Sequence, residues 1–162
     1  MRVSESIEVS APPQVVWDYL ADPENYLRFM SGITRWEVQG EPRSGLGARA
    51  RMLIRVGAAE VGGVIEWVEF SEPRDMAWSS VTGIDQRGRW RIRELPGERS
   101  RVELRYAYGV AGSGISGWVA EMVASPTLRR HIRRTLQQLK RQLEHEQLRA
   151  DAERRRRERV SA

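Results

Sequence analysis

The chain has no cysteine, a single lysine, two histidines and two phenylalanines among its 162 residues. Without cysteine there is neither a disulfide nor a thiolate metal site, which excludes the small secreted scaffolds that replace a core with cross-links. His131 and His145 stand far apart in a helical pattern, and neither is spaced with a second strong ligand set, so no metal and no cofactor are expected. No apolar run approaches the roughly 18 residues that cross a bilayer. Met1 to Glu5 lead straight into an alternating pattern with no apolar leader segment. The expectation is a soluble, cytoplasmic protein with no membrane span.

What is present fits one domain. Hydrophobic residues make up 40% of the chain and charged residues 30%, enough for a substantial core. The net charge of +5 invites a nucleic-acid reading until it is located. Residues 139–162 hold eight Lys+Arg against five Asp+Glu, which leaves 19 against 17 for residues 1–138. The body is therefore close to balanced, and no specific nucleic acid is expected as a partner. Nothing in the sequence sets an oligomeric state.

Residues 2–9 place Val3, Ile7 and Val9 on one face, the period-two pattern of a half-buried strand. Ser10-Ala11-Pro12-Pro13 ends it and opens a helix that turns Val15, Val16, Tyr19 and Leu20 inward, with Trp17 at the edge and assigned to the core. Asp22-Pro23 repeats the signal, an N-cap acceptor before a proline, for a second short helix over residues 24–30. From Ile33 to about Val110 six more strands follow. They are separated by turn chemistry at Ser44-Gly45-Leu46-Gly47, Gly57, Glu72-Pro73, Gly83 and Pro96-Gly97. Short turns predict antiparallel neighbours.

Two of these strands show their faces plainly. Arg87, Arg89, Arg91 and Arg93 alternate with Gly88, Trp90 and Ile92. Arg101, Glu103 and Arg105 alternate with Val102, Leu104, Tyr106 and Tyr108. Arg49, Arg51 and Arg55 stand opposite Ala50, Met52, Ile54 and Val56 in the same way. One face is guanidinium and the other aromatic or aliphatic. Gly109 to Gly117 is glycine-rich, and Trp118 to Ala124 reads as a short apolar helix. After Ser125-Pro126, Leu128, Ile132, Leu136, Leu139 and Leu143 recur at helical spacing in a long terminal helix. Residues 149–162 lack the stripe and read as a charged, basic tail, either a solvated helical extension or a disordered one, after a domain of residues 1–148.

The run Val9-Ser10-Ala11-Pro12-Pro13-Gln14-Val15-Val16-Trp17-Asp18, continued by Leu20-Ala21-Asp22-Pro23-Glu24-Asn25-Tyr26, resembles the opening of the polyketide cyclase/dehydrase and lipid-transport superfamily of START-like helix-grip proteins. Glu72-Pro73-Arg74-Asp75-Met76-Ala77-Trp78 and Gly88-Arg89-Trp90-Arg91-Ile92 extend the likeness. The resemblance implies an α+β fold: a curved seven-stranded antiparallel sheet wrapped around a long C-terminal helix, with two short helices after the first strand. It also implies a cavity between sheet and helix for a small hydrophobic molecule. The superfamily shares no catalytic motif, so no catalytic residue is carried over.

Few side chains offer reaction chemistry. His131, at the edge of the terminal stripe, is favoured as structural over acid/base. Ser113 and Ser116 lack the strand-to-elbow context of a nucleophile, and their glycine-rich loop lacks the Lys-Ser/Thr pair of a phosphate cradle. The aromatic strand residues offer flat apolar area with polar tips, which suits a cavity wall. The predicted ligand-binding set is Met52, Ile54, Trp67, Trp78, Trp90, Ile92, Leu104, Tyr106, Tyr108, Trp118 and Met122. Residues 109–117 and 24–30 are the candidate entrance. The reading is a carrier or sensor of a lipid, isoprenoid or polyketide-like aromatic. Its alternatives are a cyclase/dehydratase-type enzyme using the same cavity, and an interaction module acting through the arginine face, where a solvated, salt-bridged surface is the commoner outcome.

Overall fold

The computed structural model describes residues 2–56, 58–108 and 126–161. The first strand, β1 (Arg2–Val9), leads into α1 (Pro13–Ala21), a single 3-10 turn at Pro23–Asn25 and α2 (Tyr26–Phe29). Six strands follow: β2 (Ile33–Gln39), β3 (Arg49–Val56), β4 (Ala59–Ser71), β5 (Asp75–Ser80), β6 (Gln86–Leu95) and β7 (Arg99–Tyr108). The last described element is α3 (Pro126–Ser161). The order across the sheet is β1-β7-β6-β5-β4-β3-β2, every pair antiparallel. The chain's first strand therefore pairs with its last, Val3 opposite Tyr106 and Val9 opposite Ser100, and the helix pair of α1 and α2 fills the step from one sheet edge to the other.

Helix α1 ends without the basic last turn or glycine that usually satisfies final carbonyls. The next segment does this instead. Asn25 Nδ2 donates to the Tyr19 carbonyl at 3.0 Å and the Tyr26 hydroxyl to the Leu20 carbonyl at 2.8 Å, while Asp22 Oδ1 accepts from the Glu24 N–H at 3.0 Å. The 3-10 turn and α2 are thereby pinned under α1. Tyr26 and Phe29 are buried while Leu27 on the reverse face is exposed, so this segment, expected as a loose entrance, anchors its two rings in the core.

The apolar stripe of α3 lies where the spacing put it, with Leu128, Ile132, Leu136, Leu139 and Leu143 all buried. The helix packs chiefly on β1. Polar contacts fix its position: Arg129 and Arg133 reach the Glu5 carboxylate at 3.5 and 3.3 Å, and Lys140 Nζ donates to the Glu8 carbonyl at 2.8 Å. Glu144 accepts from the Ser10 N–H at 3.1 Å and pairs with Lys140 at 3.0 Å. Burial opposes the charge of Glu144, but the hydrogen bonds from Lys140 and Ser10 outweigh it and hold its carboxyl below the ordinary value. Past Leu143 none of the described residues of α3 is buried, and the helix runs on to Ser161 with Leu148 and Val160 exposed.

The outer face of the sheet is the arginine face, and it is largely ion-paired. Asp75 gathers Arg89, Arg91 and Arg93 at 3.8, 3.2 and 3.1 Å, Arg49 pairs with Glu66 at 2.8 Å, and Arg99 and Arg101 share Glu8 at 3.4 and 3.2 Å. Arg89 also pairs with Glu69, and Arg105 with Glu103. Most of these are cross-strand neighbours, such as Asp75 opposite Arg91, Arg49 opposite Glu66 and Glu8 opposite Arg101. Apart from Arg105 and Glu103, which stand two residues apart on β7, sheet register selects the carboxylates.

Trp17 is 2% exposed and meets Phe70 edge-on with ring centroids 4.7 Å apart. Trp17→Ala is expected to lower the unfolding free energy by about 3–5 kcal/mol. A urea denaturation midpoint equal to that of the parent protein would contradict this placement.

Candidate functional site

Inward-facing residues of adjacent strands line up in rows across the sheet. One row is Val3, Tyr106, Gly88, Trp78 and Trp67, paired in turn along β1, β7, β6, β5 and β4. The next is Glu5, Leu104, Trp90, Met76 and Phe70. Gly88 is the one position of the first row without a side chain, and the Trp78 indole lies over it. A Cβ at Gly88 would sit 1.8 Å from Trp78 Cζ2. Trp78 then meets Trp67 and Tyr106 edge-on, with centroids 5.2 and 5.7 Å apart.

The rings of α2 complete this cluster from the helix side. Tyr26 stacks on Trp36 at 4.3 Å and meets Trp67 at 5.9 Å, while Phe29 meets Trp90 at 6.0 Å. Trp36 is buried against Tyr26. The interior face thus carries aromatic residues on β2 and from β4 to β7, with Met52 of β3 between them.

Of the predicted set, Met52, Trp67, Trp78, Trp90, Ile92, Leu104 and Tyr106 belong to one buried cluster, with Ile54 partly buried against it. Trp118, Met122 and the side chain of Tyr108 lie outside the described residues, as do the stretch 109–117 with Ser113 and Ser116 and the short helix read at Trp118 to Ala124. Sequence reasoning did not single out Tyr26, Phe29, Met76 or Gln86. For the first two the signal was available, since they sit one helical turn apart behind an N-cap. Gln86 carried no such signal.

The polar groups of this interior fall into two kinds. The Tyr106 hydroxyl donates to Gln86 Oε1, and Gln86 in turn donates its backbone N–H to Ser80 Oγ at 3.1 Å. Tyr106 is therefore already engaged within the protein. The Trp36 and Trp78 indole N–H groups and the Tyr19 hydroxyl are buried and meet no hydrogen-bond partner among the described residues. The Trp90 indole N–H lies toward Tyr26 without a hydrogen bond of ordinary geometry. Burial pushes the Tyr26 phenol well above its usual value, an effect Trp90 partly offsets. A buried donor left unpaired costs about 1–3 kcal/mol, so such groups call for an acceptor.

His131 sits at the junction of α3 with the turn between α2 and β2. Its Nδ1 is 3.1 Å from Ser31 Oγ, and the Ser31 N–H donates to Thr135 Oγ1 at 2.9 Å. Gly32 follows with φ +83°, and a Cβ there would lie 2.9 Å from His131 Nδ1, so both the backbone and the ring require glycine. Burial, then the nearby Arg134 and Arg130 guanidinium groups, push the His131 imidazole below its ordinary value. It is neutral at pH 7 and packs as a clamp between α3 and the turn, with no carboxylate hydrogen-bonded to it among the described residues. No group of three His, Asp or Glu side chains converges as metal ligands would among the described residues.

Because the folded imidazole protonates less readily than the unfolded one, this contact contributes stability above the unfolded value of about 6.5. That contribution is lost as pH falls through the folded value. The melting temperature is expected to fall between pH 7 and pH 5. In His131→Asn, which keeps a polar atom toward Ser31 but cannot titrate, the fall should be smaller. Equal slopes for parent and variant would remove His131 from the acid response.

No curated protein matches the chain. Solved structures do. TTHA0849 from Thermus thermophilus superposes with a TM-score of 0.74 at 20% identity, over 88% of this chain and 97% of that one. The Zhui aromatase/cyclase from Streptomyces sp. R1128 gives a TM-score of 0.73 at 20% identity, over 89% and 93%. The di-domain aromatase/cyclase StfQ of the steffimycin biosynthetic pathway gives 0.63 at 18% identity, over 92% of this chain and 47% of that one. At these identities the likeness establishes the helix-grip fold. The family model described as polyketide cyclase / dehydrase and lipid transport matches residues 1–144, and the chain belongs to that family.

Proposed function

We propose that the protein binds a small hydrophobic molecule carrying a hydrogen-bond acceptor, in the interior between the concave sheet and α3, as a carrier or sensor acting in the cytoplasm. The observation that carries this reading is the row of buried aromatic residues with a donor left over: Trp78 lies over Gly88 between Trp67 and Tyr106, and its indole N–H has no partner among the described residues. Met52, Ile92 and Leu104 supply aliphatic surface beside it. Apolar burial at about 25 cal/mol per Å² would provide most of the affinity, and the indole N–H would fix which end of the ligand points inward. A flat carbonyl-bearing ring system, such as a polyketide-like aromatic, suits both demands, and the family membership supports a hydrophobic ligand. No described helix is long and apolar enough to cross a membrane.

The test is native mass spectrometry of the freshly purified protein with organic extraction, followed by titration with fluorenone and its hydrocarbon counterpart fluorene while tryptophan fluorescence is recorded. A co-purified apolar adduct, or saturable quenching by fluorenone, is the expected result. Trp78→Phe should weaken fluorenone binding about two- to ten-fold and leave fluorene unchanged, the loss expected for one hydrogen bond. A clean mass together with no saturable response to either probe would overturn the reading. Conversion of a bound molecule, seen as a new mass, would turn the carrier into an enzyme of the cyclase/dehydratase type.

A further inference from the structure

Half of the twelve cations of α3 gather on one side of the helix. At about 100° per residue, Arg130, Arg134, Arg141, Arg149, Arg156 and Arg159 fall within about 60° of one line along its solvent side, with His145 between them. All six are exposed, and none makes an ion pair or hydrogen bond among the described residues. Of the other cations, Arg129 and Arg133 reach Glu5, Lys140 reaches Glu144 and Arg154 reaches Asp151, while Arg155 and Arg157 stand off the line, exposed and without a side-chain partner among the described residues. Every acidic residue of α3 lies about 80° or more from that line. The stripe extends about 44 Å at 1.5 Å per residue, beginning on the folded body and continuing past the last buried residue, Leu143.

We propose that this stripe docks the protein on the surface of an anionic lipid bilayer. A one-sided row of arginines meets a flat anionic plane with every guanidinium at once, and bidentate contact with phosphate oxygens suits arginine. A helix laid in a nucleic-acid groove has phosphates on both flanks. There Asp151, Glu153 and Glu158 would face them, whereas on a plane these carboxylates point sideways or away. The stripe holds Leu148 and Ala152 as its apolar members, so the contact is electrostatic and peripheral and does not insert. Six unrelieved like charges along one face oppose the helix until an anionic surface neutralises them. This inference goes beyond the pocket reading and stands without it.

The experiment is flotation of the full chain with vesicles of phosphatidylcholine alone, or with about a third phosphatidylglycerol, at low salt and at about 0.5 M salt. Binding is expected only to the phosphatidylglycerol vesicles, and it should vanish at high salt. A variant carrying Arg134→Gln, Arg141→Gln, Arg149→Gln and Arg156→Gln should bind at least ten-fold more weakly, since each arginine near such a surface is worth about five-fold. A control with the same loss of charge elsewhere, Arg28→Gln, Arg43→Gln, Arg51→Gln and Arg87→Gln, should stay within about two-fold. Equal binding to both vesicle types would overturn the proposal. So would equal losses in the two variants, or tighter binding to a duplex DNA fragment than to the anionic vesicles at the same salt. Lipid and salt dependence of the parent protein decide the matter independently of how either variant folds.

Discussion

The structure depends on one burial event: the leucine and isoleucine stripe of α3 against β1 and the inner side of the sheet. Leu128, Ile132, Leu136, Leu139 and Leu143 are each at most 8% exposed. At about 1.5–3 kcal/mol per fully buried aliphatic side chain, their combined burial is on the order of the entire net stability of a domain this size. Remove that contact and the concave face, with its tryptophans, opens to water. The ion pairs of Glu5 with Arg129 and Arg133 and the hydrogen bonds of Lys140 and Glu144 set where along β1 the helix lies. They act on position more than on strength, because pairs this exposed contribute little each.

The sheet separates two chemistries by alternation alone. Arginines stand outward and are largely neutralised by carboxylates on neighbouring strands, so that surface offers few free charges to a partner. That weakens the reading of the convex face as an interaction module, and the unpaired cations of the described residues concentrate on α3 instead. Aromatic residues stand inward and are held rigidly by one another and by the rings of α2. A rigid wall with fixed polar tips favours binding, because little ordering remains to be done when a ligand arrives.

The clamp at His131 shows how a residue with catalytic potential is given a structural role. Ser31, Thr135 and Gly32 surround it, and its neutral ring joins the turn before β2 to α3. The clamp places a titratable ring at the contact between α3 and that turn.

The sequence by itself determined the element order, the positions of the five turns between β2 and β7, the inward and outward faces of the strands and the stripe of α3. These follow from periods of 2 and 3.6 and from proline and glycine chemistry, which are local properties. Alternation also placed Trp90 and Tyr106 on one face, while Trp67 and Trp78 were read as wall residues without a face of their own. Only the tertiary structure decided which of them touch. Cross-strand register placed Trp78 over Gly88 and beside Tyr106, brought Asp75 among Arg89, Arg91 and Arg93, and satisfied the Tyr106 hydroxyl with Gln86 while leaving the Trp78 indole N–H without a partner among the described residues. Register depends on pairings between strands distant in sequence, and no local pattern encodes it.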